Sequence, residues 1–438
     1  MKFRVALALG LVLGGCSGAE TGNGAGKNSG SGASAGADGG AGGVGTVAQA
    51  GTPAAGGSGG DDGRAGATQP GSGGATAGGA TTGPVQPCPA LPGKGVWEDI
   101  TPTNERGLDG VVYNSQALLL DPFDASTLWL GTARPNPAMA DARSGLFKSS
   151  DCGATWAHVD TGENADSLDR SSLWSMAIDP VDRGVMYTVG ANGALGLFKS
   201  TNAGVDWQQL FPPESEFAKH VQANFVGAIV MDPTDHRHLV VTSHGACSAP
   251  YGSGPSACQA ETLDAGATWT IVPNPDALGF QENAGAYLLG RDNWLYADPA
   301  TSTYRTTDHG KTWKVVGPGA QGGEGRARPI SVAPDGTYYL PSDHGVLKSA
   351  DQGASWTMLE SSPMGFAFAI GDGQLYTCPE FSPSFRTASL TDPTSWSALP
   401  KPALRAPNWG AGFLDYDEAH HILYSSSFQG GLFRMVTR

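Results

Sequence analysis

The chain is 438 residues long and carries 41 acidic against 26 basic side chains, a formal net charge of −15. That balance argues against nucleic acid or an anionic membrane surface as the principal partner, since both would repel it. Composition also divides the chain: a first portion poor in large apolar residues precedes about 350 residues with apolar patterning, long for one ordinary domain.

Met1 to Gly15 opens with Lys2 and Arg4, continues with an apolar stretch from Val5 to Leu13 and ends in Gly14-Gly15 before Cys16. This is the form of a secretory signal peptide, too short to span a membrane. Leu13-Gly14-Gly15-Cys16 resembles the bacterial lipobox. The resemblance implies that Cys16 becomes the lipid-modified first residue of the mature protein. Ser17 after it, in place of Asp, implies passage to the outer membrane or cell surface. From Ser17 to Pro87 the chain is dominated by Gly, Ala, Ser and Thr, with Val44, Val47 and Val85 as its only large apolar residues. Such a segment cannot bury enough surface to fold. As a flexible coil its mean reach is roughly 40–50 Å, from about 5–6 Å times the square root of residue number. Residues 16–87 are therefore expected to be a disordered tether, with membrane contact through the lipid alone.

Ordered structure is predicted from Cys88 onward. Gly95-Val96-Trp97-Glu98-Asp99-Ile100 reads as one strand carrying a Trp, with no strands before it. After it a unit repeats: an apolar run, a polar turn, another apolar run, then a strand leading into a corner. Ala117 to Leu120, Asp121-Pro122-Phe123-Asp124 and Leu128-Trp129-Leu130 show it first. Met176 to Ile178, Asp179-Pro180-Val181-Asp182 and Met186-Tyr187 repeat it, as do Ile229 to Met231, Asp232-Pro233-Thr234-Asp235 and Leu239 to Val241. The corner is Ser149-Ser150-Asp151-Cys152-Gly153-Ala154-Thr155-Trp156. It recurs at Ser200 to Trp207, Thr262 to Trp269, Thr306 to Trp313 and Ser349 to Trp356, with a degenerate copy ending at Ser395-Trp396. Ser, Thr and Asp bond their own backbone in turns, Gly supplies positive φ, and Thr then Trp begin the next strand. The Trp is expected to fill the space between packed sheets.

Three strands plus the one after the corner make a four-stranded antiparallel blade. Self-similarity at roughly 40 to 60 residues is the mark of a propeller or solenoid. The stretch from Trp409 to Met435 holds three strands, ending in Gly431-Leu432-Phe433-Arg434, with no Trp after them. Joined to the strand of Trp97 it completes a blade. The prediction is an all-β fold: a single seven-bladed β-propeller over residues 88–438, closed by exchange of N- and C-terminal strands, which removes exposed sheet edges. The corner resembles the Asp-box, or bacterial neuraminidase repeat, of sialidases, sortilin-type receptors and xyloglucan-active glycoside hydrolases. In those families the box is a structural element.

With Cys16 set aside, Cys88, Cys152, Cys247, Cys258 and Cys378 remain in a compartment that permits disulfides. Cys247 and Cys258 flank one Gly/Ser/Pro loop and are predicted to pair. Cys88 with Cys152 is the next pairing, because the closing strand and the first blade are neighbours, and Cys378 is then free. No Cys-x-x-Cys spacing occurs, and neither a metal nor a cofactor is expected.

Crossings between blades and the hairpins between second and third strands open on one face of a propeller, and the boxes lie on the other. The first face is expected to carry function, because the loops Ala133 to Ser144, Asp160 to Ser172, Pro212 to Asn224, Ser243 to Gln259 and Pro273 to Asn283 exceed what a turn needs. Asn114, Trp174, Asn224, Asn283, Arg328 and Trp409 stand near the starts of successive inner strands, with His220, His244, Glu282 and Arg326 on loops around them. Aromatic platforms with amide and guanidinium groups suit a sugar or a peptide carboxylate. The structural reading of the same residues is that Trp174 and Trp409 plug the channel and the Asn side chains bond inner-strand backbone.

The expected function is therefore binding of a glycan or an exported protein segment by a monomer, without catalysis. The alternative is a glycoside hydrolase, which needs two carboxyl groups about the scissile bond, with Asp141 and Glu282 as candidates. Ser172 to Pro180 and Gly196 to Thr201 resemble segments of xyloglucan-active hydrolases, which work in a cleft between two propellers. The sialidase likeness implies an arginine triad. Arg134, Arg143, Arg326 and Arg328 lie in face loops, but the arginine-isoleucine-proline motif is absent near the N-terminus. An assembly factor, as some single propellers of this repeat family are, is the third reading. Fold analogy by itself does not carry activity.

Overall fold

The computed structural model describes residues 86–102, 115–132, 144–191, 196–210, 226–247, 256–275, 284–320, 330–404, 409–427 and 430–438. At 115–116, 191, 226, 243–247 and 256–258 the backbone alone is described. The structure is described for these residues only.

They form 28 strands and one short helix, and the strands assemble into seven four-stranded antiparallel sheets. A lone strand β1 (Trp97–Asp99) comes first. Blade one is β2 (Ser115–Asp121), β3 (Asp124–Thr132), β4 (Leu146–Ser149) and β5 (Ala157–His158), followed by helix α1 (Ala165–Leu168). Blade two is β6 (Ser172–Ile178), β7 (Met186–Ala191), β8 (Gly196–Ser200) and β9 (Gln208–Gln209). Blade three is β10 (Val226–Met231), β11 (Leu239–Cys247), β12 (Ser256–Thr262) and β13 (Thr270–Pro273). Blade four is β14 (Gly285–Gly290), β15 (Asn293–Ala297), β16 (Ser302–Thr306) and β17 (Lys314–Pro318). Blade five is β18 (Ser331–Val332), β19 (Tyr338–Ser342), β20 (Gly345–Ser349) and β21 (Thr357–Met358). Blade six is β22 (Ala367–Gly371), β23 (Gln374–Cys378), β24 (Arg386–Ser389) and β25 (Asp392–Ala398). The last sheet runs β1-β28-β27-β26, with β26 (Phe413–Asp417), β27 (Ile422–Ser427) and β28 (Gly431–Val436). The chain is thus a seven-bladed β-propeller closed by its own N-terminal strand, with Trp97 opposite Met435 and Asp99 opposite Phe433.

Inner strands are buried on both faces, as in β22 and β26, where every residue is buried, and so read as short continuous apolar runs. Outer strands face solvent, as in β25, which has no fully buried residue. The core lies between neighbouring blades. Leu118, Leu130, Phe147, Met176 and Phe198 pack together across blades one and two, and Tyr287, Leu295, Leu340 and Leu347 across blades four and five. Each such side chain contributes about 1.5–3 kcal/mol through burial.

The repeated corner has one bonding pattern in its four Asp copies, while in blade two Asn202 replaces the Asp and its Nδ2 donates to Asp206 Oδ2 at 2.7 Å. In blade one Asp151 Oδ1 accepts from Ser149 Oγ at 2.7 Å and from Thr155 N at 2.8 Å, while its Oδ2 accepts from Thr155 Oγ1 at 2.6 Å. Gly153 N donates to Ser149 Oγ at 2.8 Å. Blade five repeats this with Ser349, Asp351, Gly353 and Ser355 at distances equal within 0.1 Å. The positive φ expected at the Gly is present, and the residue before it is left-handed as well: Cys152, Ala203, Ala265, His309 and Gln352 all lie between 56° and 59°. Glycine has a second cause. A Cβ on Gly310 would stand 2.1 Å from Val272 Cγ1 and one on Gly353 2.5 Å from Leu289 Cδ1, so the corner of each blade packs on the blade before it.

Of the box tryptophans, Trp207 and Trp356 are buried, whereas Trp156, Trp269 and Trp313 are half-buried. Filling of the inter-sheet space is complete only in blades two and five, and in blades one, three and four the indole stays partly exposed.

Closure is reinforced chemically. Cys88 and Cys152 form a disulfide, and Cys378 is free and buried. Buried Arg434 donates to Glu98 Oε2 at 2.7 Å and to Cys152 O at 2.9 Å, so one cation ties β28, β1 and the first corner together.

Candidate functional site

Strand order fixes which groups share an end. The corners and the turns between first and second strands lie at one end of the blades, and the crossings and the hairpins between second and third strands at the other. Titratable groups at the corner end are saturated. Asp264, Asp308 and Asp351 are each held down to about 2 by the hydroxyl of Thr268, Thr312 or Ser355 and by the backbone N–H of the same residue. A buried chain also lies there: Asp232 to His238 Nδ1 at 2.8 Å, His238 Nε2 to Glu261 at 2.9 Å, and Glu261 to His309 Nδ1 at 2.7 Å. Burial opposes the charge on His238, but the two carboxylates outweigh it and raise its pKa. With both ring nitrogens engaged and the ring fully buried, this chain joins blades three and four and has no room for a substrate.

At the crossing end, two of the residues singled out from sequence are described. Trp174 sits in a β-bulge of β6, between Leu173 and Ser175 in the register with β7. The first strands of blades one and three bulge at matching places, between Ser115 and Ala117 and between Val226 and Ala228. Bulges re-aim side chains and concentrate beside functional sites. Trp174 is half-buried against the cluster of Tyr187, Val189 and Leu197. Trp409 precedes β26 and pairs with Phe381, ring centroids 5.1 Å apart and planes at 52°. Phe381, on the hairpin between β23 and β24, is 72 % exposed. The two tryptophans thus have different neighbours, one in core packing and one in an open aromatic pair. Beneath that pair Cys378 accepts from Ala411 N at 3.3 Å, and burial pushes its thiol up to about 12, which makes it inert.

Asn114, Asp141, His220, Asn224, Glu282, Asn283, Arg326 and Arg328 lie outside the described residues, as do Arg134, Arg143 and Cys16. So do the side chains of His244, Cys247 and Cys258. Cys247 is opposite Ser256 and Cys258 opposite Pro273 in the backbone register.

Sequence reasoning passed over one cluster here. His158 ends β5, and its Nε2 lies 3.0 Å from Asp160 Oδ1 and 3.0 Å from Asp169 Oδ1 on the crossing to blade two. Asp160 is buried and its Oδ1 also accepts from Leu146 N at 2.8 Å. The carboxylates of Asp160 and Asp169 hold the imidazole up to about 10, and burial raises the carboxyl of Asp160. The one signal in the sequence was His-x-Asp at a strand end, followed by an acidic crossing. Phe381 had none beyond its place in a hairpin.

No family model matches the chain. By fold it is a seven-bladed β-propeller, similar to the extracellular domain of a hybrid two-component system from B. thetaiotaomicron (TM-score 0.53, 14 % identity, 76 % of this chain and 41 % of that one). It is likewise similar to a virginiamycin B lyase from Staphylococcus aureus (TM-score 0.50, 12 % identity, 77 % and 98 %). At these identities the likeness is one of fold alone. In sequence the chain is similar to a xyloglucanase of Hypocrea jecorina, 25 % identical with 57 % of this chain and 34 % of the relative covered. A xyloglucanase of Paenibacillus is 25 % identical, with 57 % and 20 % covered. The chain therefore spans about a third or less of the length of these relatives.

Proposed function

We propose that this chain is a glycan-active propeller of the glycoside-hydrolase type, with a xyloglucan-like β-glucan as its substrate class and the crossing end of the blades as its working face. One observation carries this reading: the two xyloglucanases are similar to more than half of the chain. The repeated corners, with their Ser/Thr–Asp–Gly–Trp bonding, fit the Asp-box propellers that the sequence resembles. Hydrolysis requires an acid and a base or nucleophile on opposite sides of the glycosidic bond. Asp141 and Glu282 are the candidates for these roles.

A second reading, glycan binding without cleavage, is favoured by the open pair of Trp409 and Phe381, since a sugar ring stacks on such a surface. The full chain incubated with xyloglucan should release reducing ends, and Asp141→Asn or Glu282→Gln should lower the rate at least ~100-fold, the usual scale of acid–base catalysis. Trp409→Ala should weaken oligosaccharide binding by about 1–3 kcal/mol with melting unchanged. Binding without release would establish the second reading, and neither binding nor release would overturn both. Export and anchoring belong to the same proposal: Cys16→Ser should abolish acyl labelling and membrane association while leaving the melting of the propeller unchanged.

A further inference from the structure

We propose that His158, Asp160 and Asp169 bind one divalent cation of the Zn²⁺ or Mn²⁺ class at the end of blade one opposite its corner. The inference is independent of the glycan reading. It departs from the expectation, drawn from cysteine spacing, that the chain holds no metal.

The first observation is convergence. The point where a Cβ on Gly145 would stand is 2.6 Å from Asp160 Oδ2, 2.6 Å from Asp169 Oδ1 and 2.8 Å from His158 Nε2. The three side chains therefore crowd the Cα of Gly145, and one donor atom from each lies within 4.8 Å of the others, a grouping that can hold a single cation. The side chain of Asp160 has no exposure, and its Oδ2 has no hydrogen-bond partner among the described residues. A buried carboxylate oxygen left in that condition is costly unless something occupies the space in front of it.

A second observation comes from the other blades. In blade five the position of Gly145 is held by Gly345, and the N–H of the following Val346 donates to Ser362 Oγ at 2.8 Å. In the closing blade Gly431 precedes Leu432, whose N–H donates to Thr101 Oγ1 at 2.9 Å. Blade one fills the same slot with Asp160, which accepts from Leu146 N. A neutral hydroxyl thus suffices where the task is to satisfy one backbone N–H. Met358 stands two residues after its box Trp, where blade one has His158. The second oxygen of Asp160, the imidazole and Asp169 all exceed what the blade requires.

Charge and donor type agree. Among the described residues no lysine or arginine pairs with either carboxylate, so one imidazolium faces two negative groups. A divalent cation with a neutral imidazole balances the charge. One imidazole with two carboxylates is a set that Zn²⁺ and Mn²⁺ accept, and one donor atom from each of the three lies within 4.8 Å of the others. His158 and Asp169 keep 18 % and 20 % side-chain exposure, which gives an ion a way in.

The test uses the full chain, stripped with a chelator and dialysed against micromolar Zn²⁺ or Mn²⁺, with bound metal counted by mass spectrometry and melting followed in parallel. Wild type should hold one equivalent more than Asp169→Asn or Asp160→Ser, and the cation should raise the melting temperature of wild type alone. Asp166→Asn, at an exposed position of α1, should keep the wild-type count. The half-exposed Asp169 makes Asp169→Asn a variant that folds even if Asp160→Ser does not. Absence of bound metal from wild type, or equal stoichiometry in wild type and Asp169→Asn, would overturn the proposal.

Discussion

Blade one and blade five are the same object at one end and different objects at the other. At the corner end their Ser–Asp–Gly bonding coincides to within 0.1 Å, and the box Gly of each presses on an aliphatic side chain of the preceding blade, Ile100 or Leu289. At the crossing end one slot holds a serine and a methionine, and the other holds two aspartates and a histidine. The corner is repeated because every blade faces the same problem of turning outward while packing on its neighbour. The crossing end faces no common problem once its backbone N–H is satisfied, and so it can hold chemistry.

The largest effect expected from breaking this comparison lies in what blade one has and blade five lacks. The position before the box Gly is Cys152 in the first and Gln352 in the second, and Cys152 is tied to Cys88 across 64 residues of sequence. Cys88→Ser should cost about 4 kcal/mol in the chain-entropy model, read as a shift in the denaturation midpoint. No change at Gln352 should approach that.

A smaller effect should be equal in the two blades. Gly153→Ala and Gly353→Ala each place a Cβ about 2.4–2.5 Å from a leucine or isoleucine methyl at positive φ. Each should cost about 1–3 kcal/mol and leave glycan binding untouched. Clearly unequal costs would show that the corners are not equivalent.

The smallest effect is a response to acid. Asp264, Asp308 and Asp351 titrate near 2 in the fold against an ordinary 3.8, so their stabilisation is complete above about pH 4 and is lost as the pH falls toward 2. Denaturation midpoints measured from about pH 5 down to about pH 2 should decline in that window, and less so in Asp351→Asn.

Much of the fold was legible because the repeat is local. Ser149 through Trp156 contain their own turn chemistry, and the lone Trp97 strand matched a blade that lacked one at the other terminus. The pairing of Cys88 with Cys152 followed from the same closure. The left-handed residue before each box Gly was not legible, since Cys, Ala, His and Gln share no side-chain property that announces it. Trp174, near the start of β6, and Trp409, just before β26, were singled out by position alone, and their neighbours were not legible. Phe381 reaches Trp409 across 28 residues of sequence, a relation that no spacing rule contains.

The sequence by itself determined the number of blades and the closing strand, because both follow from the periodicity of the repeat. Only the tertiary structure decided where donor atoms converge. His158 and Asp160 are two residues apart and Asp169 is nine further on, yet they meet against Gly145, the residue before β4, which lacks a Cβ and whose strand pairs with β5. Such convergence depends on distances between side chains from separate segments, which are set when the blades pack and not before.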